Sequence, residues 1–393
     1  MSKRFAVLLG LLFLMVSSKK LIAQDTVPVK TYKVAIVAPL YLDSLFKGTY
    51  YRYGTKFPRF ALAGIEFVQG AQVALDSMPQ PSSPIEASVF DCESVSQSVS
   101  SLLDSRKLDS FDLVIGYVRD QDYMKLALFS AEKQVPFISA SYPNDGGITA
   151  NPFLVILNST LRAHCESIYS YLLQNHDTSN IVFCRQPGSQ EDRVHRYFTE
   201  INTPDGNALM EYKSTIILDS NFNSIKYKLD STKQNVVVAE SLDEYFAHQL
   251  ATACSALSKT YRIKLIGMPN WDGFKSFTKK NGLKDFPVYY TSPYYNPHWD
   301  AYSKSLKTLY LKKYKGNPTE FSYKGFEAMY IFIPILLAHP NDFTSHLNDF
   351  QKKVFTDFIF RPVINPGTGL PDYFENKHMY FMQIKEGNIS RAW

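Results

Sequence analysis

The chain has 393 residues, enough for two domains or slightly more at roughly 150 residues each. At 45% hydrophobic and 20% charged it has a globular balance, not that of a disordered, collagenous or polytopic membrane chain. Lys and Arg number 42 against 37 Asp and Glu, but four of those bases (Lys3, Arg4, Lys19, Lys20) stand in the first 23 residues without an acid; the remainder is 38 against 37, or +1, which argues against nucleic acid as a partner.

Lys3 and Arg4 precede an unbroken apolar run, Phe5 to Val16. As a helix these 12 residues span about 18 Å, short of a bilayer core of roughly 30 Å. A basic start, a short apolar core and Ala23 before Gln24 read as a secretory signal peptide over 1–23, cleaved after Ala23; a short retained anchor is the other reading. No Cys lies near the cut, which disfavours a lipid anchor. The mature protein is expected in the periplasm, soluble and not membrane-spanning, with no second segment long enough to cross.

From Lys33 to Leu40 the chain is nearly all apolar, as in a strand covered on both faces. Ile65, Val68, Ala71, Leu75 and Met78 recur at helical spacing. Strands are predicted at 85–91, 112–116 and 135–139, with helices at 93–106 and 121–133. After a Gly/Asn/Pro-rich break at 143–152, strand 153–157 and helix 160–174 resume the alternation. Strands at 181–184, 213–218, 235–239, 262–267 and 287–291 follow, with helices at 190–202 and 242–257. Ser241 and Glu244 have the spacing of a capping box for the last of these helices. The spacing also predicts helices over 298–315 and 322–338, an extended apolar stretch at 353–364, and a terminal hairpin over His378–Ile384 and Ile389. Strands alternating with helices predict two α/β units in series, each built on a mostly parallel sheet flanked by helices.

Cys92, Cys165, Cys184 and Cys254 could pair in three ways or stand as buried free thiols; with no CxxC there is no redox or zinc motif. GxSxG, HExxH and Walker A sequences are absent. Ser-x-x-Lys at Ser44–Lys47, Ser130–Lys133 and Ser276–Lys279 lacks an accompanying Lys-Thr-Gly. The eight histidines show no close ligand spacing. A non-catalytic protein without cofactor or metal is expected.

Several stretches resemble the type I periplasmic binding proteins, the class of the branched-chain amino-acid binding proteins. They are Lys33–Leu40 followed by Glu66–Asp76, then Val114-Ile115-Gly116 with Val135–Ser139, then Gly267–Trp271 and Asn317–Glu327. More narrowly, the chain is similar to a Bacteroidetes envelope branch that often carries LysM repeats, and to the outer-membrane activators of penicillin-binding proteins. The resemblance implies a two-lobed α/β fold. One lobe would comprise 32–158 with 296–342, the other 159–295 with 343–393, and the chain would cross between them near 158–160, 292–297 and 340–350. Ligand would sit between the lobes at the carboxyl ends of the strands.

In that family a Gly-Pro and a nearby Ser after the third strand hold the ligand carboxylate. Here the stretch is Gly116-Tyr117-Val118-Arg119-Asp120, without Pro or Ser. Tyr117 could stack on a ligand and Arg119 could pair an anion, or both could stand on the lobe surface. Ser139 and Ser141 match the second carboxylate position, and Tyr41 an aromatic wall. In the second lobe, Arg185 would pair an anion, Glu240 a ligand ammonium, and Trp271 would offer a stacking face. Tyr323 lies near a crossing. Each of these has packing, capping or solvation as its alternative. The expected function is a solute-binding protein closing on a small polar ligand (amino acid, peptide or cell-wall fragment), with an ABC permease or a sensor as partner. The alternative is an envelope interaction protein regulating a peptidoglycan synthase.

Overall fold

A computed structural model describes residues 30–79, 83–278, 283, 285–349 and 353–393. The proposed signal peptide, 1–23, lies outside the described residues.

The first lobe begins with β1 (Tyr32–Ala38), a small hairpin of β2 (Phe46–Lys47) and β3 (Tyr50–Tyr51), and α1 (Arg59–Ser77). It continues through β4 (Ile85–Asp91), α2 (Val99–Asp104), β5 (Leu113–Gly116), α3 (Asp120–Lys133), β6 (Phe137–Ser139) and β7 (Leu154–Ile156). The second lobe follows with α4 (Leu161–Asn175), β8 (Asn180–Arg185), α5 (Ser189–Asn202), β9 (Lys213–Ile216), β10 (Asn235–Ala239), α6 (Glu244–Leu257), β11 (Ile263–Ile266) and β12 (Val288–Ser292). After α7 (Ala301–Tyr314) and α8 (Glu320–Ala338) come β13 (Phe360–Ile364), β14 (Pro371–Asn376), β15 (Tyr380–Lys385) and β16 (Asn388–Arg391).

Two seven-stranded sheets result, ordered β13-β14-β7-β6-β5-β1-β4 and β16-β15-β12-β11-β10-β8-β9. Five consecutive-lobe strands in each pair in parallel, as right-handed strand–helix–strand units require. Both faces of the first sheet are covered, which explains the unbroken apolar run of β1. Val34 and Ile36 enter one core with α1 and α8, while Ala35 and Val37 enter the other with α2 and α3.

The tail divides differently from the expectation. β14 pairs in parallel with β7 and β13 antiparallel with β14, so both belong to the first sheet. Phe343, Leu347, Val354, Phe355, Phe358 and Phe360 are buried in the first lobe's core, and that burial draws 343–349 and 353–376 there. The third crossing therefore falls at 377–379, not near 340–350. Only β15 and β16 join the second sheet, through the pairing of β15 with β12.

Helix α1 also turns a different face inward. Its buried positions are Ala61, Gly64, Phe67, Gly70, Ala71, Val73 and Ala74, while Ile65, Val68, Leu75 and Met78 are only partly covered. Small residues let α8 approach closely. A Cβ on Gly70 would lie 1.9 Å from the Ser322 carbonyl oxygen, and one on Gly325 would lie 1.9 Å from that of Phe67. Helix α8 is long and apolar enough to cross a membrane, but its apolar side chains pack in the first lobe's core.

The N-terminus of α6 corrects another expectation. Asp243, not Ser241, is the cap, accepting from the Phe246 N–H at 2.7 Å. The Ser241 hydroxyl instead donates to Glu191, at 2.8 Å. All four cysteines are buried and free.

Candidate functional site

A cavity of about 890 Å³ lies between the lobes, around the first two chain crossings. Asn158, Ser159 and Pro293–Asn296 form its hinge wall. From the first lobe, α8 contributes Glu320, Tyr323, Lys324 and Glu327, three and four residues apart and hence on one face. The second lobe supplies His164 from the first turn of α4, Asn270 and Asp272 from the turn after β11, and Thr291 from β12.

Two amide groups in this wall are buried with an unpaired polar atom among the described residues. Asn270 is oriented by its Nδ2, which donates to the Leu242 carbonyl at 2.8 Å and leaves Oδ1 without a donor. Asn296 is oriented in the opposite sense. Its Oδ1 accepts from the His298 N–H at 2.8 Å and the Ser303 hydroxyl at 3.0 Å, leaving Nδ2 without an acceptor. A buried polar group left unpaired costs about 1–3 kcal/mol, so a shift of this wall that brought either amide to an occupant would recover that cost.

Charge is arranged in the same wall. The Lys324 ammonium lies 4.3 Å from the centre of the Tyr294 ring. Burial holds its pKa below the ordinary lysine value, against the pull of Glu320, Asp272 and Glu327. Asp272 is raised by burial. Glu327 is pushed up to about 7 by burial, although its carboxylate accepts from the Phe355 and Thr356 N–H groups and the Thr356 hydroxyl. His164 is pushed down to about 3 by burial, with Nδ1 2.7 Å from the Thr291 hydroxyl. The cavity thus presents a cation and a carboxylate on opposite lobes, flanked by an amide donor and an amide acceptor.

Of the residues singled out in the sequence, Tyr323 lines this cavity; its ring packs edge-on against His298 and Phe355. The other eight stand outside its lining. Tyr117 packs on Phe67 and Phe321, and burial pushes its hydroxyl up to about 12. Arg119 is exposed, 3.8 Å from the carboxylate of its neighbour Asp120. Tyr41 packs edge-on against Phe60. Ser139 is fully buried at the end of β6, with an unpaired hydroxyl. The Ser141 carbonyl accepts from Asn158 Nδ2 at 2.6 Å. Between these two serines, the Ala140 carbonyl accepts from the Tyr294 hydroxyl at 2.9 Å, so the chain's own tyrosine reaches the strand end where the resemblance puts a ligand carboxylate.

In the second lobe, Glu240 is fully buried and held by His195 Nδ1 at 3.0 Å and by Arg185 at 4.0 Å. Its charge is already answered by protein. Arg185 also pairs with Asp192. Trp271 is fully buried, its Nε1 donating to the Ser241 carbonyl at 3.2 Å and its ring packing on Phe277. Sequence reasoning missed Lys324, Asp272 and His164. The helical spacing of Glu320, Tyr323, Lys324 and Glu327 was the one available signal.

No family model matches the sequence, and no curated protein matches it. Solved structures do match. One is assigned to a branched-chain amino acid ABC transporter of Rhodospirillum rubrum: TM-score 0.65 at 13% identity, covering 92% of this chain and 100% of that one. Another is a branched-chain amino acid ABC transporter periplasmic ligand-binding protein of Burkholderia xenovorans: TM-score 0.61, 12% identity, 92% and 94% covered. A third is an ABC transporter substrate-binding protein of Desulfitobacterium hafniense in complex with Leu: TM-score 0.56, 13% identity, 92% and 100% covered. The chain has the two-lobed type I periplasmic binding protein fold. At these identities the likeness fixes architecture and leaves the ligand to be argued from the cavity itself.

Proposed function

We propose that this is a non-catalytic periplasmic solute-binding protein that closes its lobes on a small zwitterionic ligand, an amino acid, short peptide or cell-wall fragment. The observation that carries the reading is an interlobe cavity lined by Lys324, Asp272, Asn270 and Asn296, the two amides each with a buried, unpartnered atom among the described residues. Lys324 and Asn296 would receive a carboxylate; Asp272 and Asn270 would receive an ammonium or amide. Closure removes water and strengthens each of these contacts. The basic, then apolar, segment 1–23 supports export, and an ABC permease or sensor would take up the loaded form. The test is a thermal-shift screen of the mature protein against amino acids, short peptides and muropeptides. A saturable rise in melting temperature with one class is the expected result; no shift across all three removes the reading.

One observation favours a second reading, an envelope interaction protein that regulates a peptidoglycan synthase. The segment Phe46–Phe60, between β1 and the first turn of α1, carries Lys47, Arg52, Lys56 and Arg59, six aromatic residues and no acid. Phe46, Tyr50, Tyr53, Phe57 and Phe60 are all exposed. Exposed aromatic side chains gathered along the β2–β3 hairpin, the turn after it and the start of α1 are the residue type enriched at interfaces. If the ligand screen is silent and a peptidoglycan synthase copurifies in a manner lost on Tyr50→Ser with Tyr53→Ser, this reading replaces the first.

A further inference from the structure

The far end of α8 carries a side-chain cluster unrelated to the cavity. The sequence there repeats a four-residue pattern, His339-Pro340-Asn341-Asp342 and His346-Leu347-Asn348-Asp349, seven positions apart. Both copies form the same turn: the Asp342 N–H donates to the His339 carbonyl at 3.3 Å, and the Asp349 N–H to the His346 carbonyl at 3.0 Å. The repeat brings the two imidazoles face to face, ring centres 3.5 Å apart and planes 6° from parallel. His346 Nδ1 lies 2.6 Å from an Asp349 oxygen, and its Nε2 lies 3.6 Å from an Asp342 oxygen. One ring nitrogen from each histidine and one Asp349 oxygen all fall within 4.8 Å of one another.

The frame around these groups is fixed. His339 closes α8, its N–H donating to the Ile335 carbonyl at 2.8 Å. Phe343 and Leu347 are buried in the first lobe's core between the two histidines' turns. Asn348 is locked to β13 by a reciprocal pair of hydrogen bonds with Phe360, at 2.8 and 3.0 Å. Two imidazoles and one carboxylate, held by packed backbone and partly open to solvent, form a nitrogen-rich donor set.

We propose that His339, His346 and Asp349 bind a divalent transition ion of the zinc class, with Asp342 as the orienting partner of His346. Ligand atoms at about 2.0–2.2 Å from such an ion stand roughly 3.3–3.6 Å apart in a tetrahedron. Side-chain rotation must close the wider separations, now within 4.8 Å, and open the 2.6 Å contact between His346 Nδ1 and Asp349. Two imidazole nitrogens and one carboxylate oxygen suit zinc, nickel or copper over magnesium or calcium, which prefer all-oxygen sets. Asp342, 3.6 Å from the far nitrogen of His346, needs to close by only a few tenths of an ångström to accept its N–H in the carboxylate–histidine arrangement that fixes the tautomer and orients the ring. Water fills the fourth position. The ion cross-links the end of α8 to the turn that leads towards β13.

The test uses the mature chain, purified without a histidine tag and dialysed against chelator, with zinc chloride as the probe. Calorimetric titration is expected to give one ion per chain, and zinc is expected to raise the melting temperature by several degrees. His339→Gln with His346→Gln abolishes both effects while leaving the metal-free melting temperature within a degree or two of the parent. Asp342→Asn keeps the stoichiometry and weakens binding by about 10- to 100-fold. Magnesium chloride gives no shift. Absence of saturable zinc binding in the parent protein, or undiminished binding in the double variant, overturns the assignment.

Discussion

Lys324 and Tyr294 meet at the hinge, the ammonium 4.3 Å from the centre of the ring, and each is committed to a different part of the molecule. Tyr294 is fastened by its hydroxyl to the Ala140 carbonyl at the end of β6. Lys324, on α8, feels the charges of Glu320, Asp272 and Glu327, and none of these carboxylates forms a direct ion pair with it among the described residues. A cation held on an aromatic face, short of its counter-ions, is positioned to take an anion from solution.

Lys324→Met is therefore expected to weaken the ligand found by screening by about 10- to 100-fold, the equivalent of roughly 1.5–3 kcal/mol for a charged hydrogen bond. Calorimetry on parent and variant measures it. Arg119→Ala serves as the comparison, since Arg119 is exposed and outside the cavity lining; it should bind as the parent does. Equal affinities for parent and Lys324→Met remove the lysine from the site.

The architecture was legible because it rests on long patterns. A buried parallel strand must be apolar on both faces, and Val34 to Ala38 is so without a break. The tail was not legible in the same way. Residues 353–364 read as apolar and extended, but a strand's sequence does not say which of two sheets has the open edge it will join. β7 offered that edge, and β14 took it. Helix α1 misled for a related reason: Gly64 and Gly70 carry no hydrophobic signal, yet they mark the buried face because another backbone passes against them. The cavity was least legible. Its charged groups come from one helix face, a post-strand turn and a crossing, separate in sequence and joined only by the fold. Glu240 and Trp271 looked available from their strand-end positions, but His195 and the second lobe's core already occupy them.

Acid–base behaviour gives a second prediction. The Glu327 carboxyl is pushed from 4.5 up to about 7 by burial. Between those values the folded protein holds a proton that the unfolded chain releases, so stability falls as pH rises through the window, and the full cost persists above it. His164 acts in the opposite sense: held near 3 instead of 6.5, it costs stability as pH falls from 6.5 towards 3. Glu327→Gln removes only the first contribution. Melting temperatures from pH 4 to 8 should show the variant gaining on the parent between about 4.5 and 7, then holding a constant lead. Parallel curves would show that Glu327 does not titrate in this range.

The crossing of α1 and α8 gives the third. In an ordinary helix interior, Gly→Ala stabilises by about 1 kcal/mol because it reduces the freedom of the unfolded chain. At Gly70 and Gly325 the added methyl would meet a backbone carbonyl oxygen at 1.9 Å, an atom that cannot rotate aside. The helices must then separate, and the overpacking cost of about 1–3 kcal/mol exceeds the propensity gain. Gly70→Ala and Gly325→Ala should each lower the denaturation midpoint. Gly316→Ala, with nothing within 4 Å of the new methyl, should leave it nearly unchanged. Because α8 also carries Lys324, the two helix variants should weaken ligand binding as well, whereas the control should not. Stabilisation at Gly70 or Gly325 would mean that the helices do not approach this closely in solution.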